Sequence, residues 1–225
     1  NVDNYTLDNL LLTDKLIGSH LKSLAIHEVN RKIHLRFGAE YFYKSFEKYF
    51  QIEGSLDSAV SYFDYKPAAF VEGEVYTSNN FAVKAGIRAE YSTYLNRANI
   101  SPRLSMAYKT KDNSQVSFAY GWFYQDPVNQ QIIGRDYLNY EKAEHYILSY
   151  TKKIEERNVR AEAYYKGYSN LVKYPNAAAA YTNEGNGYAY GVDVYFRDKK
   201  TIKNGDYWVS YSYLKAERNY LDYPT

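Results

Sequence analysis

Residues 69–91, AFVEGEVYTSNNFAVKAGIRAEY, separate into two faces when read with a period of two. Val71, Val75, Phe81, Val83, Ala85, Ile87, Ala89 and Tyr91 fall on one face, and Glu72, Glu74, Lys84, Arg88 and Glu90 on the other. Successive side chains of a strand point to opposite sides, so this pattern predicts two strands joined by a tight Ser-Asn-Asn turn. A helical period would set Lys84 and Arg88 among the apolar residues, and it fails. The strands are also long for a soluble sandwich, whose strands usually end after about five or six residues.

Length sharpens the reading. The stretch from Phe81 to Tyr91, at about 3.3 Å per residue, extends roughly 36 Å. Tilted by about 45°, it rises about 25 Å, the height of the apolar band on a membrane-spanning β-barrel. One face is then expected to meet lipid. Glu72, Glu74, Lys84, Arg88 and Glu90 are expected to face a polar lumen.

The same alternation recurs along the chain. Ile33, Leu35, Phe37, Ala39, Tyr41 and Tyr43 oppose His34, Arg36, Gly38 and Glu40. Leu104, Met106 and Tyr108 oppose Arg103, Ser105 and Lys109, and Val116, Phe118, Tyr120 and Trp122 form a further apolar face. Val159, Ala161, Ala163 and Tyr165 oppose Arg160, Glu162, Tyr164 and Lys166; Tyr188 to Phe196 and Tyr207 to Tyr213 repeat the pattern. Tyr140 to Thr151 and Leu21 to Val29 alternate more loosely, Tyr5 to Leu12 is a possible strand, and 13–18 is ambiguous. Ten strands and a possible eleventh result, with all five prolines expected in loops or at strand starts. The expected connections are short at 30–31, 78–80, 110–113, 152–157 and 199–205, and long at 44–66, 92–101, 125–139 and 169–187. Outer-membrane barrels join their strands by short periplasmic turns and long external loops, whereas a soluble meander has no reason to alternate. The predicted fold is all-β: an antiparallel up-and-down transmembrane β-barrel segment of about 10–11 strands.

Composition changes this picture at one point. Of 225 residues 29 are Tyr, with 10 Phe and 2 Trp, and tyrosine suits both strands and membrane–water interfaces. A formal charge of +2 gives no bulk argument for nucleic acid, and none is expected as a partner. No run of 18 apolar residues is present, which excludes transmembrane helices but not transmembrane strands. The absence of Cys rules out disulfides. No signal peptide precedes Asn1, and the chain opens within the pattern, so it is expected to be a fragment.

Four blocks, NRANISPRLSMAYK (96–109), FAYGWFYQDP (118–127), RAEAYYKGYSNLV (160–172) and YWVSYSYL (207–214), resemble the barrel of TonB-dependent outer-membrane receptors, especially the type carrying a carboxypeptidase-regulatory-like module. The resemblance covers essentially the whole chain. It implies a 22-stranded barrel around an N-terminal plug, of which residues 1–225 would form about half, with neither plug nor TonB box matched. It further implies a bacterial outer-membrane location, import of a siderophore, oligosaccharide or peptide into the periplasm, and partnership with lipid and, through the missing N-terminal part, with the TonB complex. A porin or adhesin barrel and a soluble carbohydrate-binding β-sandwich are the alternatives.

Candidate chemistry is sparse. Glu72 and Glu74, about 7 Å apart on one strand face, could serve paired-carboxylate catalysis. Lys84, Arg88 and Glu90 on the next strand make a lattice of ion pairs the preferred reading. His20, His27, His34 and His145 show no metal-ligand spacing, and no nucleophile or phosphate-loop motif occurs. No enzyme activity, cofactor or metal is expected. Tyr124, Gln125 and Tyr137, at or near the ends of the 125–139 loop, are the candidates for ligand contact, since aromatic faces stack and amides hydrogen-bond.

Overall fold

The computed structural model describes residues 2–7, 10–52, 58–173 and 180–219. The alternating segments form β1 (Val2–Leu7), β2 (Leu10–Asn30), β3 (Ile33–Ile52), β4 (Ser58–Tyr76), β5 (Phe81–Ser92), β6 (Arg97–Lys109), β7 (Ser114–Gln125), β8 (Glu141–Ile154), β9 (Arg157–Lys173), β10 (Thr182–Asp198) and β11 (Tyr207–Asn219). One short helix, α1 (Asn129–Ile132), lies between β7 and β8. Each strand pairs antiparallel with its sequence neighbours, so the chain makes one up-and-down sheet of eleven strands. Among the described residues no second sheet packs on it, which removes the sandwich alternative.

Register keeps the two faces apart from β3 to β11, whereas β2 mixes them, with Ser19, Ser23 and His27 on the apolar side and Leu24 and Ile26 on the polar side. Ile33, Val75, Val83, Met106, Phe118, Leu148, Ala163, Val192 and Tyr213 sit side by side in one cross-strand row. Two residues away, Tyr120, Tyr146, Tyr165 and Tyr190 make a second row, with ring centroids 4.9 Å apart for the first pair and 6.3 Å for the next. Tyr120 and Tyr146 hydroxyls and the Trp122 indole N–H all donate to Glu144, at 2.6, 3.0 and 3.0 Å. Part of the tyrosine excess goes here: rings that line an apolar face while the Tyr120 and Tyr146 hydroxyls find a partner. The face remains uncovered, with Val71 and Ile87 each 47% exposed and Leu148 53%. Soluble monomers rarely present so continuous an apolar surface.

Several expected boundaries move. The possible strand at Tyr5 to Leu12 divides into β1 and the start of β2, and the ambiguous 13–18 lies within β2; residues 8 and 9 between them lie outside the described ones. The long loop expected at 44–66 is mostly strand: β3 runs on to Ile52 and β4 begins at Ser58, with 53–57 outside the described residues. The loop expected at 92–101 shrinks to a turn at 93–96 with Asn96 at φ 51°, and that at 169–187 shrinks to 174–181, of which 174–179 lie outside the described residues. The physical reason is shared. At 20 residues, β3 at about 3.3 Å per residue is far longer than a bilayer needs, and strand beyond the apolar band has no requirement to alternate. Only the 125–139 loop keeps its expected length, running from Asp126 to Tyr140.

Two prolines also contradict expectation. Pro67 lies inside β4 and Pro102 inside β6. Pro67 pairs with Tyr41 on β3, but pairing of β4 with β5 begins only at Ala68; Pro102 pairs with Ile87, but pairing of β6 with β7 begins only at Arg103. Each proline marks the point where one ladder stops, so its missing N–H leaves little unpaired.

Candidate functional site

The polar face is held by ion pairs between strands. Lys84 Nζ lies 2.7 Å from a Glu72 oxygen, and Arg36 lies 3.8 Å from the same oxygen. Arg88 reaches Glu90 at 2.9 Å and Glu40 at 3.0 Å, and Lys22 adds a 2.9 Å contact to Glu40. The sequence named Glu72, Lys84, Arg88 and Glu90 for this lattice but missed Glu40, the most enclosed member, with a side chain 8% exposed. Its position on the polar side of β3 was the available signal. Glu74 takes a different course: it faces Lys84 in register but accepts a 3.0 Å bond from the Tyr76 hydroxyl. A lattice of satisfied carboxylates offers no pair poised for acid–base work.

At the loop end of this face the chain builds a small core. Phe46 of β3 and Tyr62 of β4 bury their rings against Leu95 of the 93–96 turn and against Ile132 and Tyr140 of the 126–140 loop. The Tyr62 hydroxyl donates to Asn129 Oδ1 at 2.9 Å, and the Tyr94 hydroxyl donates to the Ile132 carbonyl at 3.0 Å. Asp64, almost fully buried, fixes the neighbouring turn by accepting from Ser92 Oγ at 2.7 Å, Thr93 Oγ1 at 3.2 Å and the Tyr94 amide at 3.0 Å. The long loop is thereby tied across the tall part of the sheet. Burial, reinforced by the carboxylates of Glu90, Asp126 and Asp64, pushes the Tyr140 phenol well above its ordinary range, so it stays protonated.

Two hollows flank the end of β7. The larger, about 540 Å³, is lined by Phe123, Gln125, Tyr164, Lys166, Tyr168 and Arg218 among others. The smaller, about 390 Å³, is lined by Lys44, Lys66 and Asp126 together with Phe42, Glu90 and Asn129 among others. Lys66 Nζ sits 2.8 Å from Asp126 and Lys44 Nζ 3.9 Å from the same oxygen.

Tyr124 and Gln125 line both hollows. Gln125 Nε2 donates to Glu141 at 2.9 Å, and the Tyr124 ring lies edge-on to Tyr140 with centroids 6.3 Å apart. Tyr137, 51% exposed on the loop, joins neither hollow. The structure thus brings two of the three candidates together and leaves the third outside. It adds Glu141, Lys166 and Arg218, whose nearness depends on strands β8 to β11 folding side by side. Among the described residues no three His, Asp or Glu side chains converge to hold a metal ion.

No protein-family model matches the sequence, and no curated protein matches it significantly. Solved structures do match. The ferric citrate transporter FecA in its unliganded form superposes with a TM-score of 0.74 at 14% identity, over 96% of this chain and 38% of that one. The ferric yersiniabactin uptake receptor FyuA from Yersinia pestis gives 0.73 at 13%, over 97% and 38%. The outer membrane transporter YddB from Escherichia coli gives 0.68 at 14%, over 93% and 34%. The chain therefore spans little more than a third of the length of these structures. Its fold is that of the barrel portion of outer-membrane transporters and receptors: an all-β, antiparallel, up-and-down sheet of consecutive strands.

Proposed function

We propose that residues 1–225 are part of the barrel of a TonB-dependent receptor in a bacterial outer membrane, importing a nutrient into the periplasm. The observation that carries this reading is the separation of a mostly apolar from a mostly polar face carried through strands β3 to β11. The exposed apolar rows face lipid, and the Glu72, Glu74, Lys84, Arg88 and Glu90 face lines a watery conduit. The likeness to outer-membrane transporters supports it, as do the four sequence blocks described above. Tyr124 and Gln125 stand at the external mouth of that conduit, where an arriving solute meets them first. The plug and the TonB contact belong to chain outside these residues.

Direct binding tests the receptor reading without knowledge of the solute. The purified full-length protein is expected to bind the periplasmic domain of TonB saturably, as read by surface plasmon resonance. A full-length protein that inserts into the outer membrane but shows no such binding would remove the TonB assignment and leave a porin or adhesin.

A further inference from the structure

We propose that the larger hollow, on the polar face between β7 and β11, binds an aromatic group bearing a single negative charge. The proposal rests on that face lining the conduit, and it names the class of solute recognised there. The hollow exists because small side chains meet on neighbouring strands. Ala143, Ala189 and Ala216 all line it, and Ala189 stands directly opposite Ala216. The Tyr164 ring lies flat across Gly191, where an added Cβ would come within 2.5 Å of its hydroxyl oxygen and 2.7 Å of its Cζ. Phe123 and Tyr168 rise at the sides, so an entering planar ring finds aromatic surfaces to stack against.

Charge selects the partner. Glu141 is satisfied internally: Gln125 donates to it at 2.9 Å, the Val172 amide at 3.0 Å and Arg218 at 3.3 Å. Lys142 and Glu217 at the rim belong to the opposite face, where Lys142 lies 3.5 Å from the centre of the Trp122 ring and Glu217 pairs with Lys215 at 2.9 Å. Lys166 remains. Its register partner on β10 is Ala189, its Nζ lies 5.2 Å from the Tyr164 ring centre, and among the described residues it forms no ion pair. A cation beside an aromatic floor, with no carboxylate of its own, fits a carboxylate, phenolate or phosphate attached to a ring.

The test compares 2-naphthoate with its neutral counterpart 2-naphthamide, titrated calorimetrically into the full-length protein in detergent. The acid is expected to bind about tenfold more tightly, as one charge-assisted hydrogen bond provides. Lys166→Gln should bring that ratio to about one while leaving the amide's affinity unchanged. Phe123→Ala should weaken both ligands about tenfold, and Ala189→Leu, which fills the floor, should abolish both. Equal affinity for acid and amide, a ratio unmoved by Lys166→Gln, or no binding of either ligand would overturn the proposal. No binding together with a loss of stability in Ala189→Leu would instead assign the hollow to another segment of the same protein. None of these readouts involves TonB, so failure of the receptor reading and failure of the ligand class are separable.

Discussion

Glu40 stands between Ala39 and Tyr41, and nothing adjacent in sequence shows that it anchors the polar lattice. Its partners come from β2 and from β5, and Arg88 reaches it across Ala68 of the intervening β4, a residue small enough to let the side chain pass. Removing its charge leaves Lys22 without this partner and Arg88 with Glu90 alone. Glu40→Gln is expected to lower the stability of the full-length barrel in lipid vesicles by about 1–2 kcal/mol, less than a fully buried pair because the face is wet. Urea unfolding followed by tryptophan fluorescence reads it, and an unchanged midpoint would show that the lattice contributes nothing there. Glycines follow the same non-local logic. A Cβ on Gly38 would meet the Ser23 carbonyl at 2.1 Å and the Phe70 ring at 2.9 Å, because Phe70 folds over the glycine from β4. The sequence shows a glycine on the polar face of a strand; the ring that needs the space is many residues away.

Among the elements, the strands were legible and their ends were not. In a membrane-spanning barrel alternation is imposed by lipid on one side and water on the other, so on the proposed reading it is readable wherever both are present. Beyond the apolar band that constraint lapses, which is why β3 and β4 read as a loop from 44 to 66. The inward fold of the 126–140 loop was hidden for a different reason. Ile132, Leu138 and Tyr140 carry no periodic pattern, and what buries the loop is contact with Phe46 and Tyr62 on distant strands. A bulge escaped notice too: β9 shifts register near Asn170, which takes a φ of 57° and offers its carbonyl to Asn183 at 2.8 Å. Topology at this scale is testable by single cysteines. Asn129 lies in the loop at the tall end and Asp112 in the 110–113 turn at the other. An impermeant maleimide applied to intact cells should label Asn129→Cys and spare Asp112→Cys. The reverse pattern would invert the barrel in its membrane.

For the whole molecule, the fold follows from two rules acting together: antiparallel pairing of consecutive strands, and one face per solvent. Gln125, Glu141, Lys166 and Arg218 obey the second rule and are gathered by the first, whereas Tyr124 is in register with Lys142 on the other side. Tyr124 and Gln125 could be picked out as strand-end residues beside a long loop, whereas Glu141, Lys166 and Arg218 join them only once β7 to β11 are set side by side. The central claim is that the apolar rows face lipid, and a pair of arginine substitutions asks it directly. Ala85 lies on the apolar face between Gly73 and Leu104, and Ala119 on the polar face between Ser105 and Ile147. An arginine at the bilayer midplane costs about 2–4 kcal/mol on a lipid-facing position and far less in a watery lumen. In the full-length protein, Ala85→Arg is therefore expected to deplete the heat-modifiable, folded band in outer-membrane fractions, while Ala119→Arg leaves it close to the parent level. Equal folded fractions for the two variants would contradict the assignment of these faces.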